Sequence, residues 1–199
     1  MFRDDIRKNY HGKCFTDDKA RKLFVEIPKC GSQTFTGPLF RNKGYKDNNW
    51  NTNPEILDYE YFAIIRNPLQ RWIKSTVELM FHHYEHSKSF DNVRNVSESL
   101  NYYYNFDDFL DLHHVPQYCF LEGLKEENLT LCKLEDKELK NKFNQFFDIS
   151  FEYPDRNVTS NIEEKSVILD MLNKVLDIHY ADKIYSFYKK DFELWDTLN

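Results

Sequence analysis

The chain alternates short apolar runs with longer stretches of helical periodicity. "LFVEIP" (23–28), "YEYFAIIR" (59–66) and "LTLCKL" (129–134) are compact apolar runs bounded by loop-forming residues, the pattern of buried strands. "LQRWIKSTVELMFHHYEH" (69–86) places apolar residues at 69, 72, 73, 77, 80, 81 and 84, an i, i+3, i+4, i+7 stripe that predicts an amphipathic helix. Pro68 stands where the first residue of that helix falls. Further helices are expected over 33–41, 97–114 (stopped before Pro116), 135–147, 161–175 and 177–195. Residues 1–22 read as a polar, irregular segment and 41–54, dense in Asn, Gly and Asp, as a surface loop.

Strands alternating with helices predict one α/β domain over 1–199. Its central sheet is expected to be mainly parallel, flanked by helices in three layers, with its ligand site at the carboxyl ends of the strands. The loops "IPKCGSQT" and "IIRNP" both leave such ends, so they are expected to meet in one crevice.

Composition narrows the chemistry. A net charge of −6 argues against general nucleic-acid or anionic-membrane binding, so any anion site must be a local basic patch. The charged N-terminus lacks the apolar core of a signal peptide, and no run reaches the about 18 apolar residues of a membrane span. The expectation is a soluble, cytoplasmic protein. Cys14, Cys30, Cys119 and Cys132 show neither C-x-x-C nor zinc spacing and read as reduced thiols; no metal centre is expected. Without a secretory signal, the sequons at Asn95, Asn128 and Asn157 read as chance matches.

The loop "FVEIPKCGSQTF" (24–35) carries the candidate chemistry. Backbone amides entering a helix, a Lys point charge at Lys29 and the hydroxyls of Ser32 and Thr34 suit an anion of phosphate size. It is not the nucleotide P-loop G-x-x-x-x-G-K-[ST], because Lys29 precedes the single Gly31. A small P-loop kinase is disfavoured further by the absence of a Walker-B-like apolar run ending in Asp. Arg66 follows the second strand and could grip a second anion bidentately; Arg71 suits either an anion or an internal ion pair. Two anion-grade ends suggest a ligand with two separated phosphates.

Together, "FVEIPKCGSQTF" and "YFAIIRNPLQRW" resemble motifs of the carbohydrate sulfotransferases, in the branch containing the chondroitin, dermatan and heparan 2-O enzymes. "FDDFLDLHHVPQYCFL", with His113 and Gln117, "LTLCKLED", ending in Leu134 and Glu135, "DRNVTSN" and "IYSFYKKDFELW" are similar to later segments of the same family. The resemblance implies a compact, soluble member with a P-loop-like fold, using 3′-phosphoadenosine 5′-phosphosulfate (PAPS) as donor and a hydroxylated, carbohydrate-like acceptor. It implies that Lys29, Cys30, Gly31, Ser32, Gln33 and Thr34 hold the 5′-phosphosulfate, and that Arg66 with Lys74 or Ser75 holds the 3′-phosphate. Where the family pattern has Ser, this chain has Lys74, with Ser75 next; about 100° of helix rotation separates the two.

Catalysis would rest on positioning and charge stabilisation by Lys29, with a base to take the acceptor's proton. His113 is the first candidate and His83 the second, ahead of His82, His86, His114 and Glu60. Residues 36–65, where heparan 2-O relatives carry a His, contain none. A non-catalytic nucleotide-binding or protein-interaction module on the same fold is the alternative reading. "NYYYNF" (101–106) is core packing or a sugar platform.

Overall fold

A computed structural model describes residues 12–43, 45–91, 112–151, 153, 163–175 and 178–198. The expected elements at 97–111, 101–106 and 155–161 lie outside these residues. Five strands, β1 (Lys13–Asp17), β2 (Lys22–Val25), β3 (Lys46–Asn49), β4 (Glu60–Ile65) and β5 (Leu129–Lys133), form one sheet in the order β3-β1-β2-β4-β5. The described α-helices are α1 (Ser32–Lys43), α2 (Pro68–Ser87), α3 (Leu139–Phe147), α4 (Glu163–Val175), α5 (Ile178–Phe187) and α6 (Lys189–Asp196).

The sheet is mixed, which corrects the expectation of a mainly parallel one. β2 runs parallel to β4 and β4 to β5, whereas β1 pairs antiparallel with both β2 and β3. Both antiparallel strands come from segments read as irregular. "KCFTD" inside the polar N-terminal stretch becomes β1, its Cys14, Phe15 and Thr16 all buried. "KDNN" inside the expected loop becomes β3, a partly exposed edge strand. Its residues have little strand propensity, so it is the ladder to β1, Cys14 opposite Asn48 and Phe15 opposite Asp47, that defines it.

The three apolar runs are β2, β4 and β5; β2 and β4 are buried on both faces, as central strands are, while β5, at the edge of the sheet, is only partly buried. Phe24 and Phe62, adjacent in the β2–β4 register, meet Phe143 and Phe147 of α3 at ring-centroid distances of 5.3–6.4 Å. Phe35 of α1 joins the cluster 4.8 Å from Phe143. Helices α1 and α3 therefore cover one face. The same core takes in Val115, Cys119 and Phe120 from the 3₁₀ turns that precede β5.

A second core forms away from the sheet. Trp72, Val77 and Met80 of α2 pack with Ile168 and Leu172 of α4, Ile184 of α5, and Tyr188 and Phe192. Helix α2 matches its predicted stripe and is opened by Pro68, with the Asn67 side chain accepting from the Gln70 amide at 3.1 Å. The expected helix over 177–195 is divided at Tyr188 into α5 and α6. Residues 112–114, the described end of the expected helix 97–114, form a 3₁₀ turn. All four cysteines are buried and free. Among the described residues no helix is long and apolar enough to cross a membrane.

Candidate functional site

The loop after β2 owes its shape to two left-handed residues. Ile27 is buried at the strand exit and its carbonyl accepts the Cys30 amide at 3.2 Å. Lys29 (φ 64°) and Gly31 (φ 82°) both take the left-handed region, with Cys30 between them at negative φ. The Gly31 carbonyl then accepts from Thr34 and Phe35 at 2.9 and 3.2 Å and starts α1. The amides of Ser32 and Gln33 precede the hydrogen-bond ladder of α1, and the helix dipole makes this end electropositive. Ser32 and Thr34 are half-buried there, and Gln33 lies in the same first turn.

Gly31 has no room for a side chain. A Cβ would stand 2.8 Å from Leu134 Cδ1 and 3.3 Å from the Phe35 ring, at a φ that disfavours any L residue. Gly31→Ala is expected to destabilise the fold by about 1–3 kcal/mol, read as a lower urea midpoint at unchanged slope.

The loop after β4 is fastened to the first by Gln117. Its side-chain Oε1 accepts the Arg66 amide at 2.8 Å and the Cys30 thiol at 3.0 Å, while its Nε2 donates to the Arg66 carbonyl at 2.9 Å. One buried amide side chain thus ties both strand ends. Burial pushes the Cys30 thiol up to about 12, so it acts as a neutral donor. Gln117 is itself held from α6, since its amide and that of Tyr118 donate to the Asp191 carboxylate at 2.7 and 2.9 Å. Burial raises the Asp191 carboxyl above its usual range, against those two amides and the Arg71 charge. Tyr188 completes the fastening with its hydroxyl on the His114 carbonyl at 2.5 Å.

Arg71 and Ser75 face inward. Fully buried Arg71 donates from Nε to the Pro28 carbonyl at 2.9 Å and from its guanidinium to the Val115 carbonyl at 2.7 Å, bolting the first loop to the 3₁₀ segment. Ser75 Oγ lies 2.9 Å from both the Arg71 and the His113 carbonyls. Lys74 differs: burial first, then the charges of Arg66 and Lys165, hold its ammonium below the usual lysine range. Of the two residues at the departing motif position, Ser75 is committed to the interior, while Lys74 lies within the field of Arg66 and Lys165.

A carboxylate bridges two lysines at this site. Glu78, one turn beyond Lys74 on α2, places Oε2 3.6 Å from Lys29 Nζ and 2.7 Å from Lys165 Nζ of α4. Burial works to raise the Glu78 carboxyl, but the Lys165 bond and the Lys29 charge outweigh it and hold it low. Arg66 Nε approaches Glu135 Oε1 at 3.8 Å.

The base candidates scatter. His113 is half-buried and supplies its carbonyl to Ser75. His114 is fully buried, its Nε2 3.2 Å from the Thr76 hydroxyl, and is interior structure. His82 and His86 are exposed on α2, with His82 beside Glu85 at 3.5 Å; His83 lies on the same helix. Glu60 opens β4 at the end of the strand opposite Arg66, a sheet-length from the site. Among the described residues no group of His, Cys, Asp or Glu could hold a metal ion.

Comparison with known proteins adds little. No family model matches the chain, and no solved structure matches it. Over 60 residues, 30% of the chain, it is 37% identical to protein translocase subunit SecA of Ehrlichia chaffeensis, and over 60 residues 32% identical to that of Ehrlichia canis. Each match spans 7% of the SecA chain, too small a share to carry a fold or an activity across.

Gln117, Asp191, Glu78 and Lys165 emerge from the structure as members of the site or its frame. Gln117 had a signal in the H-x-x-P-Q resemblance and Asp191 in the closing-helix resemblance. Glu78 had one in its i+4 spacing from Lys74 on a single helix face. Lys165 had none, since only the packing of α4 on α2 brings it there.

Proposed function

We propose that this chain transfers a sulfuryl group from PAPS to a hydroxyl of a carbohydrate or small hydroxylated acceptor. The observation that carries the reading is the joining, through Gln117, of the loops that bear Lys29 and Arg66 at the carboxyl ends of two neighbouring parallel strands, in a chain of net charge −6. The motif resemblance supplies the choice of donor.

Each residue has a role that its position supports. The first-turn amides of α1 with Ser32 and Thr34 hold the 5′-phosphate, and Lys29 neutralises charge that grows on the oxygen leaving sulfur. Arg66 and Lys74 hold the 3′-phosphate, which distinguishes this donor from ATP. Bound PAPS supplies the sulfuryl group: the acceptor oxygen bonds to sulfur as the sulfur–oxygen bond to the 5′-phosphate breaks. The acceptor's proton passes to a base, for which His113, in the segment held by Gln117, remains the candidate. Gln117 and Arg71 keep the two loops in register.

Thermal unfolding with 3′,5′-ADP, 5′-AMP and ATP–Mg tests the reading. At a hundredfold excess over Kd, 3′,5′-ADP is expected to add about 2.7 kcal/mol, a rise of about 5–10 °C. The rise should be smaller with 5′-AMP and lost in Arg66→Ala. A folded protein that 3′,5′-ADP fails to stabilise overturns the proposal; binding without turnover of PAPS over a panel of acceptors would favour the non-catalytic module instead.

A further inference from the structure

In-line transfer sets the attacking and leaving oxygens on opposite sides of one sulfur. A base for the first must therefore stand within a few ångströms of the cation that meets the second. Lys29 is that cation in the proposed reaction, and Glu78 places Oε2 3.6 Å from Lys29 Nζ. Lys165 of α4 holds the carboxylate in place. Its Nζ donates to the same Oε2 at 2.7 Å and is itself seated 4.6 Å from the centroid of the Phe81 ring.

Both lysines engage Oε2. The other oxygen, Oε1, makes no hydrogen bond among the described residues, and the Glu78 side chain is 29% exposed. One oxygen is tethered and the other is open to a hydroxyl, the arrangement of a proton acceptor oriented by a third group. Burial works to raise the Glu78 carboxyl, but the Lys165 bond and the charges of Lys29, Lys165 and His82 outweigh it, so the group is ionised at neutral pH. A carboxylate of that strength serves where the transition state is loose, as the catalytic Asp of protein kinases does.

We propose that Glu78, in place of His113, is the general base of this site, taking the acceptor's proton on Oε1, and that Lys165 is the residue that positions it. The inference rests on the sulfuryl-transfer reading. As the acceptor oxygen bonds to sulfur, its proton passes to Glu78. The sulfur–oxygen bond to the 5′-phosphate breaks, and its electron pair stays on the phosphate oxygen beside Lys29. The products are the sulfated acceptor and 3′,5′-ADP, and the proton leaves Glu78 for water as they depart. A tie that merely joins α2 to α4 would support stability and leave the turnover of the folded protein unchanged.

Turnover of PAPS by the wild type, Glu78→Gln, Glu78→Asp, Lys165→Met and Lys165→Arg decides it, after the unfolding midpoint and the calorimetric Kd for 3′,5′-ADP of each are measured. Release of 3′,5′-ADP is followed with water as acceptor and with the acceptor panel. Glu78→Gln keeps the shape without the base, so kcat should fall roughly 10²–10³-fold. Its Kd for 3′,5′-ADP should stay within about threefold of wild type or tighten, since a negative charge has gone. Glu78→Asp should recover part of the loss. Lys165→Met leaves the base unanchored and should lower kcat about tenfold or more, with Lys165→Arg restoring most of it. Because Glu78 is held below the ordinary carboxylate range, wild-type kcat at saturating PAPS should stay level from about pH 8 to about pH 5. An imidazole base would instead lose about tenfold per pH unit below about 6.5. Wild-type kcat in Glu78→Gln, or a fall in kcat matched by an equal loss of affinity for 3′,5′-ADP, overturns this proposal and leaves the sulfotransferase reading standing. If Glu78→Gln does not fold, unchanged kcat in Lys165→Met together with an acid limb near pH 6.5 overturns it in the same way. A wild type that binds 3′,5′-ADP yet turns over no PAPS overturns it in favour of the non-catalytic module, and one that binds neither nucleotide removes both readings.

Discussion

Replacing Lys29 with alanine is expected to lower the turnover of sulfuryl transfer on the order of 10²–10³-fold, with little change in stability. The first half follows from position. Lys29 stands after β2, ahead of the amino end of α1, where the proposed reaction would need a preorganised cation to meet charge on the leaving oxygen. The second half follows from the ion pair that the side chain makes among the described residues. Its contact with Glu78 is a 3.6 Å ion pair between partly exposed groups, the kind worth at most about 1 kcal/mol. Alanine also keeps the Cβ at the same positive φ, so backbone strain is common to both proteins. The check is paired: kcat with saturating PAPS against the urea midpoint, with Lys29→Arg as the charge-retaining control. A large loss of stability in Lys29→Ala would mean that the loop is built around the ammonium. Unchanged turnover would remove Lys29 from the chemistry.

Asp191→Ala is the opposite experiment, since it touches no proposed ligand and acts on the frame. The carboxylate is fully buried and accepts the amides of Gln117 and Tyr118. Its removal leaves two buried amides without partners, each costing about 1–3 kcal/mol. A loss of about 3–5 kcal/mol is expected, against a total near 5–15 kcal/mol for a domain. That corresponds to a melting point lower by about 10 °C or more. Asp191→Asn keeps one acceptor but turns an amide donor toward the other N–H, so it should fall between wild type and alanine. Urea unfolding of the three proteins reads the series. Equal midpoints for Asp191→Ala and wild type would show that the 3₁₀ segment is held by Tyr188 and Arg71 alone.

The parts of the fold legible in the sequence are those where one segment carries its own signal. The apolar runs that became β2 and β4 are buried on both faces, the run that became β5 is partly buried, and the stripe over 69–86 needed only Pro68 and Asn67 to start it. β1 and β3 escaped because their strand character lies in their pairing: "KDNN" is extended only because "KCFTD" lies beside it. The helix expected over 177–195 breaks at Tyr188, whose hydroxyl is needed at the His114 carbonyl. The same division runs through the site. Lys29 and Arg66 could be placed at strand ends from sequence. That Arg71 binds the Pro28 and Val115 carbonyls, and that Ser75 turns inward, depends on how α2 sits against residues 113–115.

The span between the two strand-end loops is set by a single amide group. Gln117 holds the Cys30 thiol and both the N–H and the C=O of Arg66, so neither loop can drift without breaking bonds to the other. If the two loops hold the two phosphates as proposed, the distance between the anion positions is a fixed gauge, cut before any ligand arrives. A molecule whose two charged groups match the gauge pays no ordering cost to the protein, whereas one of equal charge and different length must break the Gln117 bonds to fit. Selectivity would then be exercised by length, with net charge deciding only how quickly candidates arrive.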